Sequence, residues 1–139
     1  MSIENISVSL RAWHRDGEHE PAAALLSQLA ITPSDGVQRA ESPGVPRIQL
    51  ISLSSDEFVG QDEPSEAFAA ALKAGFLNAA RWMAKQPTDV SRSLHTDDLL
   101  ADVFIGAWID SDQMDLILPP EFLAECARHG LPVTLITND

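Results

Sequence analysis

The chain has 139 residues, 9 Lys and Arg against 21 Asp and Glu, a formal net charge of −12 at pH 7 and 45% hydrophobic residues. A single domain spanning residues 1–139 suits that length, because a chain of this size buries roughly two-thirds of its unfolded surface and needs no staples. The charge repels phosphate backbones and anionic bilayers, so nucleic acids and membranes are excluded as expected partners and a basic protein is favoured.

The lone Cys126 rules out an intrachain disulfide. No basic-then-apolar leader precedes the first strand and no apolar run approaches bilayer length, so a cytoplasmic location is expected.

In chain order, Ile6, Val8, Leu10 and Ala12 alternate with Ser7, Ser9, Arg11 and Trp13, which predicts a strand with one face on a core. Residues 14–20 form a charged loop. Pro21 suits a first helical turn, and Ala22, Leu25, Leu26 and Leu29 make a short amphipathic helix that Thr32-Pro33 ends. Pro33, Gly36, Pro43, Gly44 and Pro46 then interrupt any periodicity over 32–47, predicting a long surface loop and the most mobile internal segment.

A second strand is predicted over 48–54. After an acidic loop comes the longest helix, 64–85, with Phe68, Leu72, Phe76, Ala79 and Met83 as its apolar stripe and Trp82 beside it. Residues 86–101 read as a connector in which Thr96-Asp97-Asp98 caps one short helical turn.

The late part of the chain reads as a β-hairpin, 102–110 and 113–118, turning at Asp110-Ser111-Asp112. Pro119 and Pro120 stop its second strand and start a helix carrying Phe122, Leu123, Cys126 and Ala127. Arg128 and His129 lie in its last turn and Gly130 follows as the left-handed C′ residue. Residues 131–137 make the closing strand. The fold class is therefore α+β: a sandwich of about five mostly antiparallel strands and three helices, two layers deep, or three if a helix covers the second sheet face.

Chemistry-bearing motifs are few. The acids from Asp110 to Asp115, with Glu121, start a calcium-loop spacing that fails at Met114 and at Asp115, where glycine is required, so no metal site is assigned. His14, His19, His95 and His129 have no ligand spacing, and the neighbours of His95, Asp97 with Ser91 and Ser93, do not amount to a triad. No catalytic residue and no cofactor is assigned. Cys126, on an apolar helical stripe, is expected to be a structural side chain.

Strand alternation singles out one surface. With Val8, Leu10, Val103 and Ile105 facing the core, Arg11, Trp13, Phe104 and Trp108 share the opposite face with Asp102 and Asp110. The economical expectation is that the long helix covers these aromatics as a second core. The functional reading is an open aromatic patch, with Trp13 and Trp108 as anchors, Phe104 beside them and Arg11 as the polar contact.

Both ends of the chain resemble the bacterial domain-of-unknown-function family 4279. Ser7 to His14 is similar to that family's first strand, and Glu20-Pro21 through Leu29 and Thr32-Pro33 to its first helix and exit. Residues 102–109, then 116–122 and Gly130-Leu131-Pro132, are similar to its late hairpin, proline-started helix and final strand. The resemblance implies one α+β domain and carries no catalytic residues with it.

Two functions are weighed. The first is a non-enzymatic binding module, an immunity- or inhibitor-like partner of a basic protein, since no Lys or Arg occurs between Arg92 and Arg128. The second is a small enzyme or ligand-binding domain with its pocket between the 32–47 loop and the sheet.

Overall fold

The computed structural model describes residues 3–40, 44–94, 96, 98–110 and 115–138. Five strands form one sheet: β1 (Ile3–His14), β2 (Gln38–Ala40), β3 (Arg47–Ser54), β4 (Leu99–Ile109) and β5 (Val133–Thr137). Four α-helices accompany them: α1 (Glu20–Leu26), α2 (Pro64–Ala84), α3 (Thr88–Ser93) and α4 (Pro120–Arg128). The sheet order is β2-β3-β1-β4-β5, antiparallel except for the parallel pair β4–β5. The expected α+β class, with a mostly antiparallel five-stranded sheet, is what the chain adopts.

The period-two residues of β1 make one side of the sheet. Ile6, Val8, Leu10 and Ala12, with Val103, Ile105 and Ala107 of β4, are buried and join Phe68, Leu72, Phe76, Trp82 and Met83 of α2 in one core cluster. The register of β1 against β3 shifts between Val8 and Ser9, where β3 carries the extra residue Leu50, so Leu50 and Ile51 are both buried. Phe76 meets Phe122 edge-on at 4.8 Å between ring centroids, tying α2 to α4.

Residue choice explains the ends of α4. Pro120 stands in its first turn, and Gly130 leaves it at φ 69°. Leu131 N–H then donates to the Cys126 carbonyl at 2.8 Å and Gly130 N–H to the Ala127 carbonyl at 3.0 Å, the paired bonds that close a helix through a left-handed glycine.

Four expectations are corrected. Residues 115–118 form no hairpin strand, because both edges of β4 are taken, by β1 and by β5; the rest of that turn, 111–114, lies outside the described residues. The connector holds α3 at residues 88–93, and the following strand begins at Leu99. The segment 32–47 is no unpaired loop: β2 pairs with β3, and Asp35 and Val37 are buried. It is anchored on α2 as well. Lys85 Nζ donates to Asp35 Oδ1 at 3.1 Å and Asn78 Nδ2 to the Asp35 carbonyl at 2.8 Å, while just before the segment Trp82 Nε1–H donates to the Ala30 carbonyl at 2.9 Å. Lastly, α2 does not cover the aromatic face. Its stripe needs a broad aliphatic partner, and the Ile6–Val8–Leu10 side of the sheet is that partner.

Candidate functional site

The second face of the sheet carries Asn5, Ser7, Ser9, Arg11 and Trp13 from β1 opposite Trp108, Gly106, Phe104, Asp102 and Leu100 from β4. Ser52 and Ser54 extend it on β3, and Thr134 and Ile136 on β5. No described helix lies on it, so the sheet has helices on one side only.

The face divides into two parts. In the first, Arg11 Nε and Nη2 donate to Asp102 Oδ1 and Oδ2 at 2.8 and 2.7 Å, and Thr134 Oγ1 donates to Asp102 Oδ2 at 2.7 Å. The guanidinium carbon sits 4.1 Å from the ring centroid of Phe104 and 5.0 Å from that of Trp13, near enough for cation–π attraction to both. Arg11 is therefore already paired with its own neighbours, and 24% of its side chain stays exposed.

In the second part, a depression of about 610 Å³ opens over Ser7, Ser52, Ser54, Phe104, Trp108 and Ile136. Trp108 is 47% exposed and Ile136 37%. Gly106 makes the floor: a Cβ there would stand 3.2 Å from Phe104 Cε1, so the missing side chain is what lets the Phe104 ring lie along the strand. Glu57 at the rim accepts the Ser54 N–H at 2.7 Å and closes the turn after β3.

Trp13 pairs with Leu100 and Trp108 with Asn5, eight positions apart along β1. At strand spacing that is roughly 26 Å, so one small ligand cannot touch both indoles. Of the four candidate residues, Arg11, Trp13 and Phe104 form one cluster, and Phe104 and Trp108 border the depression. Ile136 and Gly106 were not found by sequence reasoning. Nothing local in the sequence places β5 beside β4, and Ile136 joins the depression only through that pairing.

Elsewhere, a shallower groove of about 360 Å³ lies between the segment after Pro33 and β3, over Gly36, Val37, Gln38, Gln49 and Ser52, with no ionisable side chain in its lining. The displaced titrations belong to other places. Burial pushes the Cys126 thiol up to about 12. Burial, seconded by the Arg128 charge, holds His129 below its ordinary value, against the opposing pull of the Met83 carbonyl. Asp35 is lowered by the Thr32 N–H and then by Lys85, and Asp16 by the Glu18 N–H.

His95 and Asp97 lie outside the described residues; Ser91 bonds His129. The Met83 carbonyl, 2.7 Å from His129 Nε2, requires the proton there, leaving Nδ1 to accept from Ser91 Oγ. Both residues are 2% exposed, so the pair joins α3 to the ends of α2 and α4 and meets no substrate. Among the described residues, no group of three or more His, Cys, Asp or Glu side chains is placed to hold a metal ion. No described helix is long and apolar enough to cross a membrane. Comparison with family models, with curated proteins and with solved structures finds no match.

Proposed function

We propose that this chain is a non-enzymatic binding module, an immunity- or inhibitor-like partner of a basic protein, which takes a segment of that protein into the depression beside Trp108. The observation that carries this reading is the bare sheet face, where a half-exposed indole stands beside Ile136 and the Phe104 ring. Uncovered sheet faces are polar as a rule, and exposed tryptophans set in concave apolar surfaces are the anchors on which binding energy concentrates. A net charge of −12 speeds encounter with a basic protein, by an amount that falls as salt rises. The same charge argues against direct nucleic-acid binding, and a cytoplasmic setting and kinship with family 4279 belong to the same proposal.

The small-ligand or enzyme reading is the weaker one. Its groove beside the 32–47 segment has no ionisable lining, and the groups with displaced titration are buried or turned to capping.

The test is affinity capture of a basic protein by the wild-type chain, by Trp108→Ala and by Ile117→Ala, whose side chain is 83% exposed outside the depression. Loss of capture on the order of tenfold or more in Trp108→Ala alone is the expected result. Equal capture by all three chains would remove the depression from the argument.

A further inference from the structure

Among the described residues the sheet ends at β5, an edge of five residues with little else to protect it. Exposed edge strands are normally kept single by charges, prolines, bulges or a covering element, because their free N–H and C=O groups recruit another strand. Residues 133–138 contain no charge and no proline, β5 runs without a bulge along β4, and no described strand pairs beyond it. Apolar side chains stand out on both sides of it: Leu135, 47% exposed, on the helix side and Ile136, beside Trp108, on the bare side.

The hydrogen-bond phase shows what that edge presents. Val103 N–H donates to the Pro132 carbonyl and Asn138 N–H to the Ala107 carbonyl, each at 2.8 Å. A parallel ladder in this phase turns the backbone groups of Thr134 and Ile136 toward β4, and those of Val133, Leu135 and Thr137 outward. Three outward residues spaced by two are symmetric about the middle one.

We infer that β5 pairs antiparallel with β5 of a second copy of this chain, about a two-fold axis at Leu135. Leu135 then exchanges both backbone bonds with its counterpart, and Val133 does so with Thr137 on each side. The two Leu135 side chains meet on the helix side, and Ile136 meets Thr134 on the bare side, where the depressions of both copies share one ten-stranded sheet. Charge decides for a second copy over the basic partner at this edge. A cationic strand would find no acid along 131–138, whereas two copies, each at −12 overall, meet here along an uncharged seam.

The full chain is taken through sedimentation velocity across a wide concentration series, with Leu135→Lys and Thr137→Pro alongside. Leu135→Lys changes a half-exposed side chain, and Thr137→Pro removes an N–H that β4 does not use, so neither breaks the β4–β5 ladder. The expected result is a wild-type dimer that dissociates on dilution, and monomers with unchanged far-ultraviolet circular dichroism for both variants. Oxidised Leu135→Cys is expected to form a covalent dimer, since directly opposed residues of a hydrogen-bonded pair lie about 5.5 Å apart between Cα atoms, within disulfide reach. Thr137→Cys, roughly 13 Å from its own counterpart, does not. Wild-type monomer at every concentration overturns the inference and leaves the edge bare or for a strand of another protein. A dimer that survives Leu135→Lys overturns it equally and moves the interface elsewhere.

Discussion

Arg11 and Asp102 stand directly opposite each other on β1 and β4 and close a two-bond ion pair on the face of the sheet that no described helix covers. Only 6% of the Asp102 side chain is exposed against 24% of Arg11. The Trp13 and Phe104 rings shelter the guanidinium on the sides they face. Removing Asp102 therefore leaves a half-sheltered cation with a poorer set of acceptors for its N–H groups. Asp102→Ala is expected to lower unfolding stability by about 2 kcal/mol, less than a fully buried pair would cost because Arg11 keeps some water. Adding Arg11→Leu should return part of that loss. Urea denaturation of the two single variants and the double variant measures the coupling, and additive losses would count against it.

Cys126 lies on the α4 stripe, 2% exposed, with its thiol pushed up to about 12 by burial. A neutral thiol shut away from solvent reacts only when the helix opens. The folded chain is expected to resist alkylation at neutral pH and to react at once in denaturant, and Cys126→Ala should cost about 1 kcal/mol. Rapid labelling of the native chain, followed by mass spectrometry, would contradict the buried placement.

Local signals were legible in proportion to how completely they were local. The alternation from Ile6 to Trp13 gave the faces of β1, Pro64 the start of α2, and the Pro120 to Gly130 bracket the whole of α4. What failed needed distant partners. Residues 116–118 resemble a strand, yet β4 has no edge to offer them once β1 and β5 are paired. Gln38 to Ala40 form β2 because β3 lies alongside, and no alternation of three residues could announce that. Alternation puts Arg11, Trp13, Phe104 and Trp108 on one face, but it cannot show that Arg11 pairs with Asp102, 91 positions later. Which face α2 covers was a choice between two apolar surfaces, and the sequence contains both.

The buried Ser91–His129 contact makes stability depend on pH in a defined window. Desolvation holds His129 below its ordinary value, with Arg128 and Arg92 opposing its charge and Glu125 and the Met83 carbonyl favouring it. In the unfolded chain the imidazole takes a proton near pH 6.5. Between that value and the lowered folded one, the unfolded state binds more protons, so stability is complete above about pH 6.5 and declines as the pH falls below it. A second loss follows at lower pH, below about 3.9, as Asp35 is protonated and loses its bonds to Thr32 and Lys85. His129→Gln should remove the first decline and leave the second. Thermal unfolding at stepped pH reads both, and an unaltered profile between pH 7 and 5 in the variant would assign the first decline to other groups.

Gly106 and Phe104 make the most exacting test of the depression, because they alternate on one strand and one of them has no side chain. A Cβ at position 106 would stand 3.2 Å from Phe104 Cε1 and 3.7 Å from Cζ, so a valine side chain could fit there only by displacing the ring. That ring cannot yield freely, since the Arg11 guanidinium rests 4.1 Å from its centroid. Strand propensity favours valine over glycine by an amount of the same order, so the sign of the change depends on the ring. Gly106→Val is expected to destabilise the wild-type chain by about 1 kcal/mol or more through overpacking. In a Phe104→Ala background the obstruction is gone, and the same substitution should be neutral or stabilising. Chemical denaturation of the four chains of this cycle gives the coupling. If Gly106→Val costs the same in both backgrounds, the ring is not what fills the space above the glycine, and the floor of the depression is built differently.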